Sequence, residues 1–252
     1  MLARTAGDGN QLHRLFCISP CCAIVSASLR LFGGIHVHDA TEEQRRVRIA
    51  VFGGTGSLGW QVVRYAVEAE YGCKVLSRRA DKMPEVPGVQ FVQGDAQDGG
   101  KVMLTLTGCE AAVIALGTNT KGQEGLLPTA TSLVLAGMRK LEISRVIVVS
   151  RIGVGESSSQ LPLTARVAGS IFKKKEFAEK EEQERLIRES GTEWTIVRPA
   201  GFLEGDATGR YSVESEGRGK TAKITREDTA DFIIRELSAG EYSGQVVGLS
   251  GK

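Results

Sequence analysis

Val47-Arg48-Ile49-Ala50-Val51-Phe52-Gly53-Gly54-Thr55-Gly56-Ser57-Leu58-Gly59 is the stretch on which the fold turns. Val47 to Phe52 is a short apolar run with β-branched residues, ending at glycine, which is how a buried parallel strand reads. Ser57 to Glu70 follows, with Leu58, Val62, Ala66 and Ala69 at helical spacing. A strand therefore passes into a helix through a turn of closely spaced glycines.

Gly53, Gly56 and Gly59 form a G-x-x-G-x-x-G pattern in which each glycine has a separate physical task. Gly53 lets the chain turn sharply out of the strand. Gly56 lets backbone approach a pyrophosphate where a side chain would block it, and Gly59 lets the helix pack closely. The unpaired N–H groups and the positive dipole at the helix start then attract phosphate. With Thr55, Ser57 and Leu58 completing the turn at the first position of a βαβ unit, the pattern predicts a dinucleotide site.

Further along, strands and helices alternate. Strands are expected at Lys74–Ser77, Val89–Val92, Ala111–Leu116, Arg145–Ser150, Thr195–Val197 and Val246–Leu249, the last closing the sheet. Helices are expected at Thr129–Leu141, Thr164–Ser190 and Arg226–Ser238, the last with Thr225 as N-cap and Asp228 at the capping-box position. This order predicts an α/β, Rossmann-type, doubly wound and mostly parallel sheet with helices on both faces, as a single domain over residues 46–252.

The end of the second strand discriminates between cofactors. An acid there would bond the ribose hydroxyls of NAD. Here the strand ends Leu76-Ser77-Arg78-Arg79, and two guanidinium groups suit the 2′-phosphate of NADPH, with Arg78 the better placed. The competing reading is a solvated arginine pair. Two more loops fall at carboxyl ends of strands, where ligands bind in such sheets. Asp95 and Ala96 follow Gly94 and would meet the adenine. Leu116, Gly117 and Thr118 follow the fourth strand, Gly117 allowing backbone to lie against the ribose.

Composition bounds the rest. Of 252 residues, 41% are hydrophobic and 25% charged, and the net charge of +2 argues against a global nucleic-acid role. The three histidines, His13, His36 and His38, all precede the glycine turn, so nothing after it uses histidine as base or ligand. Cys17, Cys21 and Cys22 cluster, but no second ligand pair follows at a zinc-like spacing, so no metal is assigned. Residues 1–45 read as a targeting leader and linker. Arg4, Arg14 and Arg30 face only Asp8 among the first 38 residues, with Ser19, Ser26 and Ser28 interspersed. Organelle import leads, the mitochondrion ahead of the plastid. A secretory or bipartite plastid signal, and no targeting role with a cytoplasmic protein, stay open. Pro20 and Arg30 break the apolar run, so no stable membrane span is expected. The expected partner is a small-molecule substrate, with the chain a monomer or a member of a larger assembly.

The glycine turn, Gly94-Asp95, Leu116-Gly117-Thr118, Val148-Val149-Ser150-Arg151-Ile152-Gly153, Arg188-Glu189-Ser190-Gly191 and Trp194-Thr195-Ile196-Val197-Arg198-Pro199, in this order, resemble the atypical short-chain dehydrogenases of the NmrA-like, NAD(P)H-binding group, and within it the biliverdin and flavin reductases. The resemblance implies a nicotinamide near Ser150 and Pro199. Many short-chain dehydrogenases pair a serine with Tyr-x-x-x-Lys. Here Tyr65, Tyr71, Tyr211 and Tyr242 all lie off the helix after Ser150. With Lys180 at the lysine position, Glu176 stands where the tyrosine belongs. That departure points to acceptors needing little help: flavins, quinones and linear tetrapyrroles, whose conjugation spreads the incoming charge. Ser150 and Lys180 are the candidate catalytic residues. Ser150 reads equally as a strand-end serine capping backbone, and Lys180 as a surface charge four residues after Glu176. A Gly/Ser-rich loop, Arg151 to Pro162, lies where a substrate lid would be. The alternative function is a non-catalytic NADPH-binding regulatory or structural subunit.

Overall fold

The computed structural model describes residues 46–117, 125–155, 171–217 and 222–252. The leader, Thr118, the Arg151 to Pro162 loop beyond residue 155 and the expected start of the long helix at Thr164 lie outside the described residues.

In chain order the elements are β1 (Arg48–Phe52), α1 (Ser57–Glu68), β2 (Gly72–Ser77), β3 (Val89–Gln93), α2 (Gly99–Leu106), β4 (Ala111–Ile114), α3 (Leu126–Lys140), β5 (Arg145–Val149), α4 (Ile171–Arg188), β6 (Glu193–Pro199), β7 (Phe202–Leu203), β8 (Tyr211–Glu214), β9 (Ile224–Thr225), α5 (Arg226–Ala239) and β10 (Gln245–Gly251). The main sheet has the order β3-β2-β1-β4-β5-β6-β10-β8, and β7 pairs with β9 in a small parallel ribbon. The order reverses between β1 and β4, both parallel to their neighbours, so the first strand lies beside the crevice where the two halves of the sheet diverge.

The apolar run of β1 is continuous because both its faces are covered. Ile49 and Val51 point into a core shared with Val62, Ala66 and Ile233, while Ala50 and Phe52 point into a second core with Leu106, Val134 and Met138. Helices α1 and α5 pack together over one face, and α2, α3 and α4 pack in series over the other.

Two features depart from the sequence expectation. Helix α2 opens with Gly99 and Gly100, poor helix formers, yet Asp98 caps it by accepting from the N–H groups of Gly100 and Lys101. Strand β10 does not close the sheet: β8 adds to it antiparallel, pairing Gly248 with Glu214 through Gly251 with Tyr211. Four half-buried residues carry too little pattern to announce that strand. Thr225 does cap α5 by accepting from the Asp228 N–H. The Asp228 carboxylate accepts from the Thr225 hydroxyl and binds the loop ahead of β8, accepting from the N–H groups of Thr208 and Gly209 and the Thr208 hydroxyl.

Candidate active site

The glycine turn is built as the spacing requires. Gly53 adopts φ +88°, a conformation side chains resist, and a Cβ there would sit 2.6 Å from the Ala115 carbonyl oxygen. A Cβ on Gly59 would lie 2.1 Å from the Gly53 carbonyl oxygen, so the helix packs directly onto the turn. The Gly56 N–H closes the turn on the Gly53 carbonyl at 2.9 Å, and the first helical bond runs from Trp60 N–H to the Gly56 carbonyl at 2.8 Å. Gly56 supplies no side-chain cap, so the first N–H groups of α1 face outward as an anion-binding end.

Beside that end lies a cleft of about 580 Å³. It runs from Gly56, Ser57 and Leu58, past Leu116 and Gly117, to Ser150, Lys180 and Pro199. Residues that sequence reasoning placed at the pyrophosphate and at the nicotinamide thus share one cavity. A Cβ on Gly117 would meet no atom within 4 Å, so the open floor of the cleft there is backbone.

Arg78, Arg79, Asp95 and Ala96 do not line this cleft; they follow β2 and β3 along the same edge of the sheet. Both arginines are exposed. Gln93 holds their turn by donating to the Arg78 carbonyl at 2.6 Å and accepting from the Ala80 N–H at 2.8 Å. Asp95 accepts from the Gln97 N–H at 2.9 Å, which shapes its own loop.

At the far end the geometry separates the readings left open for Ser150 and Lys180. Ser150 is 4% exposed, and its hydroxyl has no hydrogen-bond partner among the described residues, so it does not cap backbone. The hydroxyl thus keeps its donor and acceptor capacity unused among the described residues, in the wall of the cleft. Lys180 is not a surface charge: it is 6% exposed, and its Nζ donates to the Val149 carbonyl at 3.3 Å. Burial pushes its ammonium down to about 8. Nor does Glu176 pair with it through a direct contact; its Oε1 accepts from Arg151 at 3.0 Å, and the Arg151 guanidinium lies over the Phe177 ring at 4.8 Å. Glu176 lines the cleft one helical turn from Lys180, where the resemblance placed the tyrosine.

Sequence reasoning missed the support beneath these groups. Arg198 and Glu184, both buried, form a two-point ion pair, Nε to Oε1 at 2.9 Å and Nη2 to Oε2 at 2.6 Å. The pair fastens β6, which ends in Pro199, to α4, which carries Lys180. Their spacing offered one signal: Glu176, Lys180 and Glu184 recur every four residues. At the opposite end of the sheet Arg145 and Glu236 make a similar buried pair at 2.7 Å, joined by the Thr195 hydroxyl. Among the described residues no helix is long and apolar enough to cross a membrane.

A doubly wound sheet with a glycine turn at its switch point and a cleft along its carboxyl edge defines a dinucleotide-binding oxidoreductase fold. Residues 53–239 match the model of the NAD(P)H-binding family, and the chain belongs to that family, among the Rossmann-fold oxidoreductases of the NmrA-like, short-chain-dehydrogenase-like superfamily. It is similar to an uncharacterised chloroplastic protein of Arabidopsis thaliana, 25% identical over 87% of this chain and 83% of that protein. It is similar to an NAD(P)H azoreductase of Xenophilus azovorans, 24% identical over 81% of this chain and 68% of that enzyme. Among solved structures, ChuY, an anaerobillin reductase of Escherichia coli O157:H7, superposes with a TM-score of 0.71 at 25% identity, covering 81% of this chain and 97% of that one.

Proposed function

We propose that this oxidoreductase transfers hydride from NADPH to a conjugated small molecule of the flavin, quinone or linear-tetrapyrrole type, with Lys180 as proton source. One observation carries the reading: a buried lysine and an unpartnered buried serine share the cleft wall, with a glutamate in place of the tyrosine that alcohol and ketone chemistry uses. The names of two relatives agree with it, an azoreductase and an anaerobillin reductase, an azo group being itself a conjugated acceptor.

Bound NADPH supplies the hydride. The first N–H groups of α1 would hold its pyrophosphate, Arg78 with Arg79 would hold the 2′-phosphate, and Asp95 would accept from the adenine amino group. Ser150 and Pro199 would flank the nicotinamide end. Lys180 holds a proton at Nζ and gives it to the acceptor, so that hydride and proton together make the reduced product; water at the cleft mouth restores the lysine proton.

The test is NADPH oxidation by the purified full chain against a panel of flavin, quinone, biliverdin and azo dye, with simple aldehydes and ketones as controls. Turnover confined to the conjugated acceptors is expected. Tight NADPH binding with no turnover across the panel, and co-migration with a large assembly, would replace this reading with that of a binding subunit. For the leader we propose organelle import. The chloroplastic relative moves the choice toward the plastid, and a fluorescent fusion of residues 1–45 tests it.

A further inference from the structure

Helices α1 and α5 pack side by side, and a side chain joins their starts. Arg226, the first residue of α5, reaches the first residue of α1: its Nε donates to the Ser57 hydroxyl at 3.1 Å. Its guanidinium carbon lies 5.1 Å from the centre of the Phe202 ring, and Nη1 pairs with Glu204 at 2.8 Å. Ser57 and Phe202 both line the cleft.

The arginine's position is not explained by the helix that bears it. A cation in the first turn opposes the helix dipole, where an acid would be favourable. The two acids beside it are turned elsewhere: Glu227 to the Ala207 N–H and Arg64, Asp228 to Thr208 and Gly209. The counter-ion that Arg226 does have is weak, since the Glu204 side chain is 92% exposed and its attraction is screened by water. The Arg226 side chain, by contrast, is 23% exposed and steadied by ring and hydroxyl. A guanidinium held rigidly beside two helix N-termini, with only a solvated glutamate opposite, suits an anion with several oxygens.

We infer that Arg226 is a pyrophosphate clamp, binding the cofactor's diphosphate from the α5 side of the α1 N-terminus, and that Glu204 occupies the guanidinium until the cofactor displaces it. The inference rests on the pyrophosphate lying at the start of α1. It adds a residue of α5 to a pyrophosphate site otherwise drawn from the turn between β1 and α1, and it is separate from the 2′-phosphate contacts proposed at Arg78 and Arg79.

The test is equilibrium binding to the full chain of three probes: NADPH, ADP-ribose, which keeps the diphosphate, and adenosine 2′-monophosphate, which lacks it. Arg226→Gln is expected to weaken NADPH and ADP-ribose about tenfold and leave adenosine 2′-monophosphate unchanged, with Arg226→Lys recovering part of the loss. Glu204→Gln is expected to tighten NADPH about two- to threefold by removing the competing carboxylate. Unchanged ADP-ribose affinity in Arg226→Gln overturns the clamp, as does an equal loss for all three probes; weaker NADPH binding in Glu204→Gln overturns the exchange. Gly56→Val keeps the two layers apart. If it binds ADP-ribose as the wild type does, the pyrophosphate is not at the turn; if it abolishes binding while Arg226→Gln leaves ADP-ribose affinity unchanged, the clamp alone fails.

Discussion

Burial lowers the Lys180 ammonium to about 8, while Glu176 pulls it up and Arg151 pushes it down. The charged form is the one that donates, so kcat/KM for the acceptor is expected to fall as pH rises through about 8. Lys180→Met should lose that limb and about a hundredfold in kcat, read from the two pH profiles. The same burial has an opposite effect on stability. Because the folded pKa lies below the unfolded one, keeping the ammonium charged in the wall costs stability below about 8, and the cost fades as pH rises toward 10.5. Lys180→Met is therefore expected to raise Tm at pH 7 and to raise it less at pH 10. The role proposed for Arg78 rests most directly on the sequence, since its charge suits a phosphate and its place at the end of β2 follows from the strand pattern. Arg78→Ala should weaken NADPH about tenfold or more and leave NADH within twofold, by fluorescence titration. An equal NADPH-to-NADH ratio in both proteins would remove the arginines from the site.

Helix α4 shows what happens at the scale of an element when the buried face is polar. Lys180, Gln183, Glu184 and Ile187 are all buried, and Gln183 donates to the Thr131 hydroxyl at 3.0 Å. Read by hydrophobic period alone, such a helix turns these residues to water; this is why Lys180 read equally as a solvated charge. The Arg198–Glu184 pair sets the rotation of the helix and hence the place of Lys180. Glu184→Gln removes the buried carboxylate that both Arg198 and Arg188 meet and is expected to cost about 3–5 kcal/mol, measured by urea unfolding. Helix α1 is the opposite case, written locally. Its Gly59 is required by the Gly53 carbonyl six residues earlier, so Gly59→Ala, driving a Cβ against that carbonyl, should cost about 1–3 kcal/mol and weaken NADPH binding in the same variant.

Across the whole molecule the two apolar layers are continuous, and each encloses a cysteine. Cys73 and Cys109 are both buried, and burial pushes their thiols up to about 12 and about 11. Neither offers thiolate or access, so alkylation followed by peptide mapping should leave both unmodified in native buffer and modify them at the rate of global unfolding. The mostly parallel, doubly wound sheet was legible because continuous apolar runs alternate with helices, whereas β8 was not, because a four-residue edge strand gains its identity only from Gly248 to Gly251 opposite it.

The glycine turn, the apolar first strand and the basic end of β2 were legible in the sequence itself, because each is a short local pattern of residue types whose own chemistry context does not alter. The burial of Lys180, the lone hydroxyl of Ser150 and the meeting of Arg226 with Ser57, 169 residues away, were decided only by the tertiary structure. A side chain's exposure, its charge state and its partners depend on which distant surfaces the fold brings together, and no local pattern carries that information.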